Sequence, residues 1–317
     1  MTRIAILIPC YNEEIAIAKV VRDFRHSLPD AMIYVYDNNS TDSTGTMARS
    51  AGATVRREML QGKGYVVRRM FADIEADIYV LVDGDDTYDA NDAPEMVKLL
   101  VDEQLDMVNG VRVTDIKAAY RPGHRFGNAM LTGMVSRIFG NRISDMLSGY
   151  RVFSRRFVKT FPALASGFEI ETEFTVHALE LGMAVGEVST AYRDRPPGST
   201  SKLRTYTDGI RILRTIITLV KEERPLQFFS IIGALLLVVS MALGLPVIIE
   251  FLQTSLVPRL PSAVLATGLV LLSFLCFVCG LILDTVTRGR QEGKRLAYLA
   301  VPAIESDAMQ RRKAAAE

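Results

Sequence analysis

The chain has 317 residues, 49% of them hydrophobic, with 37 Lys and Arg against 36 Asp and Glu and a formal charge of +1. That length suits one sizeable domain plus further elements, and the even charge balance excludes nucleic-acid binding through bulk charge. Three cysteines, Cys10, Cys276 and Cys279, make no disulfide framework; the last two, inside an apolar run, read as small core residues, and the soluble part fits a reducing compartment.

Met1-Thr-Arg3 leads straight into a strand-like run over 3–8, with no sign of a signal peptide. Helical periodicity follows over 13–24, then a strand over 32–36 that ends in Asp37-Asn-Asn-Ser-Thr-Asp42. A helix is predicted over 44–51, a short strand over 53–55, a helix over 64–75 and a strand over 78–82. Strands alternating with helices predict right-handed βαβ units on a parallel sheet, an α/β architecture of nucleotide-binding type. Beyond Ala93 come a helix, a strand over 106–113, a basic segment from Lys117 to Arg125 and a helical stretch over 126–139. A helix to about 181 and a strand over 184–192 complete the domain. Glu169, Glu171 and Glu173, which alternate ahead of that helix, read as a solvated face or as arginine partners at least as well as catalytic groups.

The strand at 78–82 stops abruptly in Asp83-Gly84-Asp85-Asp86-Thr87. In open α/β sheets ligands bind beyond the carboxyl ends of the strands, so Asp83 and Asp85 are predicted to face that crevice, with Gly84 making the turn. Two carboxylates one residue apart repel unless a cation offsets them. A hard ion held by one or two carboxylates fills its shell with water and phosphate oxygens. The turn therefore reads either as an Mg2+ or Mn2+ diphosphate site or as an Asp-rich surface turn.

Three further segments reach the same edge. Tyr11, Asn12 and Glu13 offer a ring and an amide to a base and ribose, and Asp37, Asn39 and Asp42 offer acceptors; helix capping is the alternative for both. Gln61-Gly62-Lys63-Gly64 presents amides and one ammonium without the full P-loop pattern.

After Pro225 the composition changes. Residues 226–249 and 262–283 are uncharged runs of 24 and 22 residues, each long enough to cross a bilayer. Lys221, Arg224, Arg288, Arg290, Lys294, Arg295, Arg311, Arg312 and Lys313 flank the pair, against Arg259 alone in the connecting loop. The positive-inside rule then puts the N-terminal domain and the tail in the cytoplasm, with two spans in the cell membrane. Residues 203–221 have the pattern of an interfacial amphipathic helix, or of a helix packed on its own domain.

Taken together these motifs resemble family 2 glycosyltransferases of the GT-A fold. Pro9-Cys-Tyr-Asn-Glu13, Asp37 to Asp42, Gly62-Lys63-Gly64 and Asp83-Gly84-Asp85 occur in that family's order. Asp145-Met-Leu-Ser148-Gly149-Tyr150-Arg151 and Arg195-Pro-Pro-Gly-Ser-Thr-Ser-Lys202-Leu are similar to segments of dolichyl-phosphate mannose synthases and bacterial polyprenyl-phosphate glycosyltransferases, the second with one inserted residue. The resemblance implies a Rossmann-like GT-A domain over 1–202, an amphipathic helix over 203–224, a transmembrane hairpin over 225–285 and a basic tail over 286–317. It also implies that Asp83 and Asp85 bind Mg2+ or Mn2+ and the diphosphate, with Pro9, Tyr11, Asn12, Glu13, Asp37, Asn39, Lys63 and Gly84 around the nucleotide. On the acceptor side it implies Arg121, Arg125, Ser148, Arg151, Arg195 and Lys202 at a lipid phosphate, with Asp85, Asp145, Arg125 and Arg195 serving catalysis. Many relatives read D-A-D-L-Q where this chain has Thr87, which places the third metal contact in question.

The expected activity is transfer of one sugar from a UDP- or GDP-linked donor to a polyprenyl phosphate, by in-line attack with inversion. Leaving-group charge would be offset by metal and Lys63, and the acceptor, largely dianionic near neutral pH, needs cations rather than a strong base. A processive polysaccharide synthase is disfavoured because its Q-x-x-R-W motif needs a Trp and this chain has none. A non-catalytic scaffold of a glycan export complex has no need to keep Asp83 and Asp85 together. Two thin spans would gain buried area by association with copies of the chain.

Overall fold

The computed structural model describes residues 2–113, 143–198 and 220–304, with a few isolated positions between them. The chain divides into two compact units, Met1–Arg211 with Lys294–Glu317, and Ile212–Gly293.

In the first unit the apolar run Ile4–Cys10 forms β1, flanked in parallel by β2 (Met32–Asp37) and β4 (Ile78–Leu81). With β3 (Thr54–Arg57), β5 (Met107–Val113), β6 (Arg151–Ser154) and β7 (Val185–Ala191) the sheet runs β3-β2-β1-β4-β6-β5-β7. All neighbours pair in parallel except β6, which is antiparallel to both β4 and β5. The expected parallel sheet is thus mixed, because a four-residue strand that starts at Arg151, where the Asp145–Arg151 segment ends, inserts between β4 and β5. Its Val152 and Phe153 carry only a short β signal.

Alternation along the strands divides the core in two. Ile6, Ile8, Val35, Val80, Val82, Val108 and Val152 share one cluster with the apolar face of α1 (Ile17–Ser27), with Ala48 of α2 (Thr44–Ser50) and with Met96 and Leu100 of α4 (Ala93–Asp102). Tyr79 and Phe153 belong to an aromatic group with Phe71 of α3 (Lys63–Asp73), Phe157 of α5 (Arg155–Thr160) and Phe174 of α6 (Ile170–Leu181). Helix α1 begins later than the periodicity predicts because residues 13–16 make a turn in which Glu13 O accepts from the Ala16 and Ile17 amides.

The second unit holds α7 (Pro225–Thr254) and most of α8 (Leu260–Leu299), both long and apolar enough to cross a membrane. Beyond Pro225 at the start of α7, their buried positions recur every seven residues: Gly233, Ser240 and Val247 on α7, and Ala266, Ser273, Gly280 and Thr287 on α8. Ser240 Oγ donates to Ala266 O and Ser273 Oγ to Gly233 O, each at 2.8 Å. Small residues with interhelical hydrogen bonds are what hold helices together where lipid supplies no hydrophobic drive. Cys279 lies exposed on α8 and Cys276 half-buried, both free, so neither is the buried core residue expected.

Helix α8 runs past the uncharged segment to Leu299. Residues from Lys294 onward belong to the first unit, where Lys294 Nζ donates to Glu180 Oε2 at 2.6 Å and Tyr298 Oη to Asp106 Oδ2 at 2.9 Å. Part of the segment expected to be a basic tail is therefore the end of this helix, with Lys294 and Tyr298 bonded to side chains of the first unit. The amphipathic stretch over 203–221 falls almost wholly outside the described residues.

Candidate functional site

The register of the parallel strands brings the predicted segments to one edge. Cys10 is in register with Asp37, and Leu7 with Leu81, the last residue before the Val82-Asp83 turn. The loops leaving β1, β2 and β4 therefore start side by side.

Asn12, at positive φ, and Asp42 tie the first two loops together, and Asn39, also at positive φ, ties the second to the chain beyond β3. Thr41 N donates to Asn12 Oδ1 at 2.8 Å, Asn12 N to Ser40 Oγ at 2.9 Å, and Glu14 N to Asp42 Oδ2 at 3.2 Å. Asn39 Nδ2 reaches Met59 O at 2.7 Å, and Asp37 Oδ1 takes the Ser40 amide at 3.0 Å. Neither α1 nor α2 has a side-chain bond at its N-cap, so Asn12, Asn39 and Asp42 brace loops rather than cap helices, while Pro9 and Tyr11 lie partly open to solvent at this edge, Tyr11 at 37%.

Two residues the sequence reading passed over fix these loops. Asn38 is buried; its Oδ1 accepts from Gly62 N at 2.7 Å and its Nδ2 donates to Glu58 O and Leu60 O. Thr44 Oγ1 takes the Glu13 amide at 2.8 Å. The only signal for Asn38 was its place inside Asp37-Asn-Asn-Ser-Thr-Asp42.

The Gly62-Lys63-Gly64 segment opens α3 in a different role from a phosphate cradle. The Gly64 amide donates to Ser166 O at 3.1 Å, and a Cβ at either glycine would stand 2.1 Å from a carbonyl oxygen of residues 165–166. The two amides are already used, and the glycines are required by this close approach. Lys63 is buried, with Nζ 2.5 Å from Asp83 Oδ1 and 2.7 Å from Glu171 Oε1. Burial works against its charge, but Asp83 and Glu171 outweigh it and hold the ammonium above its ordinary pKa. Glu171 is the residue the sequence left unassigned: neither solvated nor an arginine partner, it stands in the first turn of α6 against the lysine. Glu173 accepts from the Leu164 and Ala165 amides at 2.9 and 2.8 Å, which fixes the segment clamping α3.

Asp85, buried, is matched by Arg195. Nη2 of Arg195 lies 2.5 Å from Asp85 Oδ2 and Nη1 3.1 Å from Glu13 Oε1. Burial and then the Asp83 charge raise the Asp85 pKa, and Arg195 opposes them. Thr87 Oγ1 donates to Asp85 Oδ1 at 2.6 Å, so this side chain supports the carboxylate. Gly84 backs onto Cys10, whose thiol is pushed up by burial and by the Glu13 and Asp37 charges.

The 145–151 loop is fixed from within. Asp145 is buried and gripped by Arg112 through Nε at 2.7 Å and Nη2 at 2.8 Å; the arginine it orients is this one, which lies on β5. Ser148 and Arg151 are both fully buried. Arg151 donates from Nε to Ser148 O, from Nη2 to Met146 O and from Nη1 to Thr175 Oγ1. The expectation of direct contact between these two and an acceptor phosphate is therefore corrected: Arg151 opens a central strand, and its guanidinium holds the loop's carbonyls. Arg121, Arg125, His124 and Lys202 lie outside the described residues.

Among the described residues, the carboxylates of Glu13, Asp83, Asp85 and Glu171 gather around Lys63 and Arg195. A largely buried cluster this rich in carboxylates fits a divalent cation. Among the described residues no group of three or more His, Cys, Asp or Glu forms a ready metal cage, so its protein contacts would be Asp83 and Asp85, as suits a hard ion that also binds phosphate.

A mixed α/β sheet with an acidic turn at the carboxyl edge of its central strands defines a nucleotide-sugar-transferase type of fold. A sequence model of glycosyl transferase family 2 matches residues 5–161. Glycosyltransferase AglJ of Haloferax volcanii is 33% identical over 303 residues, covering 93% of this chain and 98% of that protein. The dolichyl-phosphate hexose transferase of the same organism is 27% identical over 221 residues, covering 70% and 95%. Glucosyl-3-phosphoglycerate synthase from Mycobacterium tuberculosis, solved in complex with Mn2+ and UDP-glucose, superposes with a TM-score of 0.54 at 24% identity over 69% of this chain and 78% of that one. At that identity the likeness establishes the fold, which is GT-A-like. The chain belongs to glycosyl transferase family 2.

Proposed function

We propose that this glycosyltransferase moves a single sugar from a nucleotide sugar to a polyprenyl phosphate at the cytoplasmic face of a membrane. The carrying observation is the contact of Arg195 with Asp85, because it joins a residue of the late basic loop to the acidic turn at the nucleotide edge. The name of the dolichyl-phosphate hexose transferase relative and the two apolar helices support the lipid acceptor.

In the reaction a phosphate oxygen of the carrier forms a bond to the anomeric carbon as the bond from that carbon to the nucleotide diphosphate breaks, with inversion. The acceptor is already largely dianionic, with a second pKa of about 6, so no strong base is required. Charge builds on the departing diphosphate. A divalent ion held by Asp83 and Asp85 would supply Lewis-acid stabilisation of that charge when bound. Lys63 adds a fixed ammonium, kept charged by Asp83 and Glu171. Arg195 suits an anionic partner because its planar fork binds phosphate bidentately.

The test uses the full chain in detergent or native membranes with Mn2+ or Mg2+, a panel of UDP- and GDP-sugars and undecaprenyl or dolichyl phosphate. Lipid-linked sugar and free nucleotide diphosphate should appear together, and Asp85→Asn should abolish both while the protein stays folded. Transfer only to water-soluble acceptors would overturn the lipid-carrier reading.

A further inference from the structure

Phe153, Phe157, Phe161 and Phe174 pack ring against ring in the aromatic group of the core. Phe168, between them in sequence, does not join it. Its ring lies beside Lys63 instead, with Nζ 6.0 Å from the ring centroid, and the side chain is only half-buried. The same Nζ is 2.5 Å from Asp83 Oδ1 and 2.7 Å from Glu171 Oε1. Phe168 is thus an apolar ring set next to the acidic turn and left out of the core.

The backbone that carries this ring is held residue by residue. Ala163, at a φ of 49°, turns the chain into the segment, and Glu173 accepts from the Leu164 and Ala165 amides. Ser166 O accepts from the Gly64 amide, Glu169 Oε1 from the Gly167 amide at 3.0 Å, and Phe168 O from the Glu171 amide at 3.3 Å. A ring on so fixed a backbone has little freedom left to lose when a ligand covers it, which favours binding. Lys63 has no need of the ring, since two carboxylates already hold the ammonium, and 6.0 Å is the outer limit of a cation–π contact.

We propose that Phe168 is a contact for the sugar of the donor, its ring lying against an apolar face of that sugar while Lys63 takes the diphosphate to which the sugar is attached. This rests on the nucleotide-sugar reading of the acidic turn. A hexose carries its hydroxyls around the rim and C–H groups on its faces, and the slightly positive C–H hydrogens suit the negative face of an aromatic ring. Pockets of this kind pair one apolar or aromatic wall with a few placed charges.

The experiment is calorimetric titration of the full chain in detergent with Mn2+ and without lipid acceptor, so that no donor is consumed. UDP-glucose is compared with UDP, and GDP-mannose with GDP. Phe168→Leu should weaken binding of the sugar nucleotide about tenfold and leave that of the matching diphosphate within about twofold. Phe168→Met, a second side chain without a ring, should repeat the selective loss, and Phe168→Tyr should restore binding.

Equal loss of a sugar nucleotide and its diphosphate would mean that the ring acts through Lys63, and that result overturns the inference. Unchanged binding of all four nucleotides by Phe168→Leu and Phe168→Met overturns it as well. If the unchanged chain binds none of the four, the nucleotide-sugar reading falls and the inference falls with it.

Discussion

Gly149 stands so close to Asp83 that a Cβ there would lie 2.3 Å from Asp83 Oδ2 and 3.1 Å from Lys63 Nζ. The glycine of the 145–151 loop thus shapes the acidic turn from behind. Gly149→Ala should force the carboxylate to move, because its oxygen is the far end of a side chain and yields more easily than backbone. Transfer is expected to fall by about tenfold or more while the melting temperature drops only a few degrees. Turnover and thermal denaturation, measured together, check this; unchanged turnover would remove Asp83 from the reaction.

Arg151 has a structural duty. Replacing it by Met leaves the Ser148 and Met146 carbonyls unpaired in the core, at roughly 1–3 kcal/mol for each buried group. Arg151→Met should lower the melting temperature by several degrees and leave the KM for the lipid acceptor unaltered in the folded fraction. A selective rise in that KM would restore the acceptor role.

His177 gives a pH dependence with a defined sign. Its Nε2 lies 3.2 Å from Thr160 Oγ1, Phe157 and Phe161 meet it edge-on, and burial, then the Lys294 charge, push its pKa down to about 3. Between 6.5 and about 3 the unfolded chain binds the proton and the folded one does not, so stability is full above 6.5 and is lost as pH falls through that window. His177→Phe should make melting temperature less sensitive to pH between 6.5 and 5. Parallel curves for the two proteins would count against a neutral, buried His177.

The α7–α8 hairpin depends on close approach. A Cβ at Gly233 would sit 3.1 Å from both Ser273 O and a Phe277 ring carbon, so Gly233→Leu should separate the helices. Ser240→Ala and Ser273→Ala each remove one interhelical hydrogen bond and should cost only about 0.6 kcal/mol. Melting in detergent orders these variants; equal effects of all three would exclude backbone packing as the main attraction.

Local pattern carried much of this molecule. Runs of apolar residues with period two or 3.6, ending in Pro9, Asp37 or Asp83, made the strands, the helices and the carboxyl edge legible, because alternation and turn chemistry are properties of neighbouring residues. The two uncharged runs were legible for the same reason. The boundary of α8 was not, since its last turns are held by Glu180 and Asp106, residues more than a hundred positions away.

What the sequence determined by itself is the α/β class, the acidic turn at its edge and the family. Only the tertiary structure decided how the charges are shared. Glu171 meets Lys63 across 108 residues and Arg195 meets Glu13 across 182. Arg151 lost its expected place at a phosphate because an antiparallel strand buried it. Pairing between distant carboxylates and cations depends on which loops the sheet brings together and how deeply they lie, and neither depth nor proximity is written in local spacing.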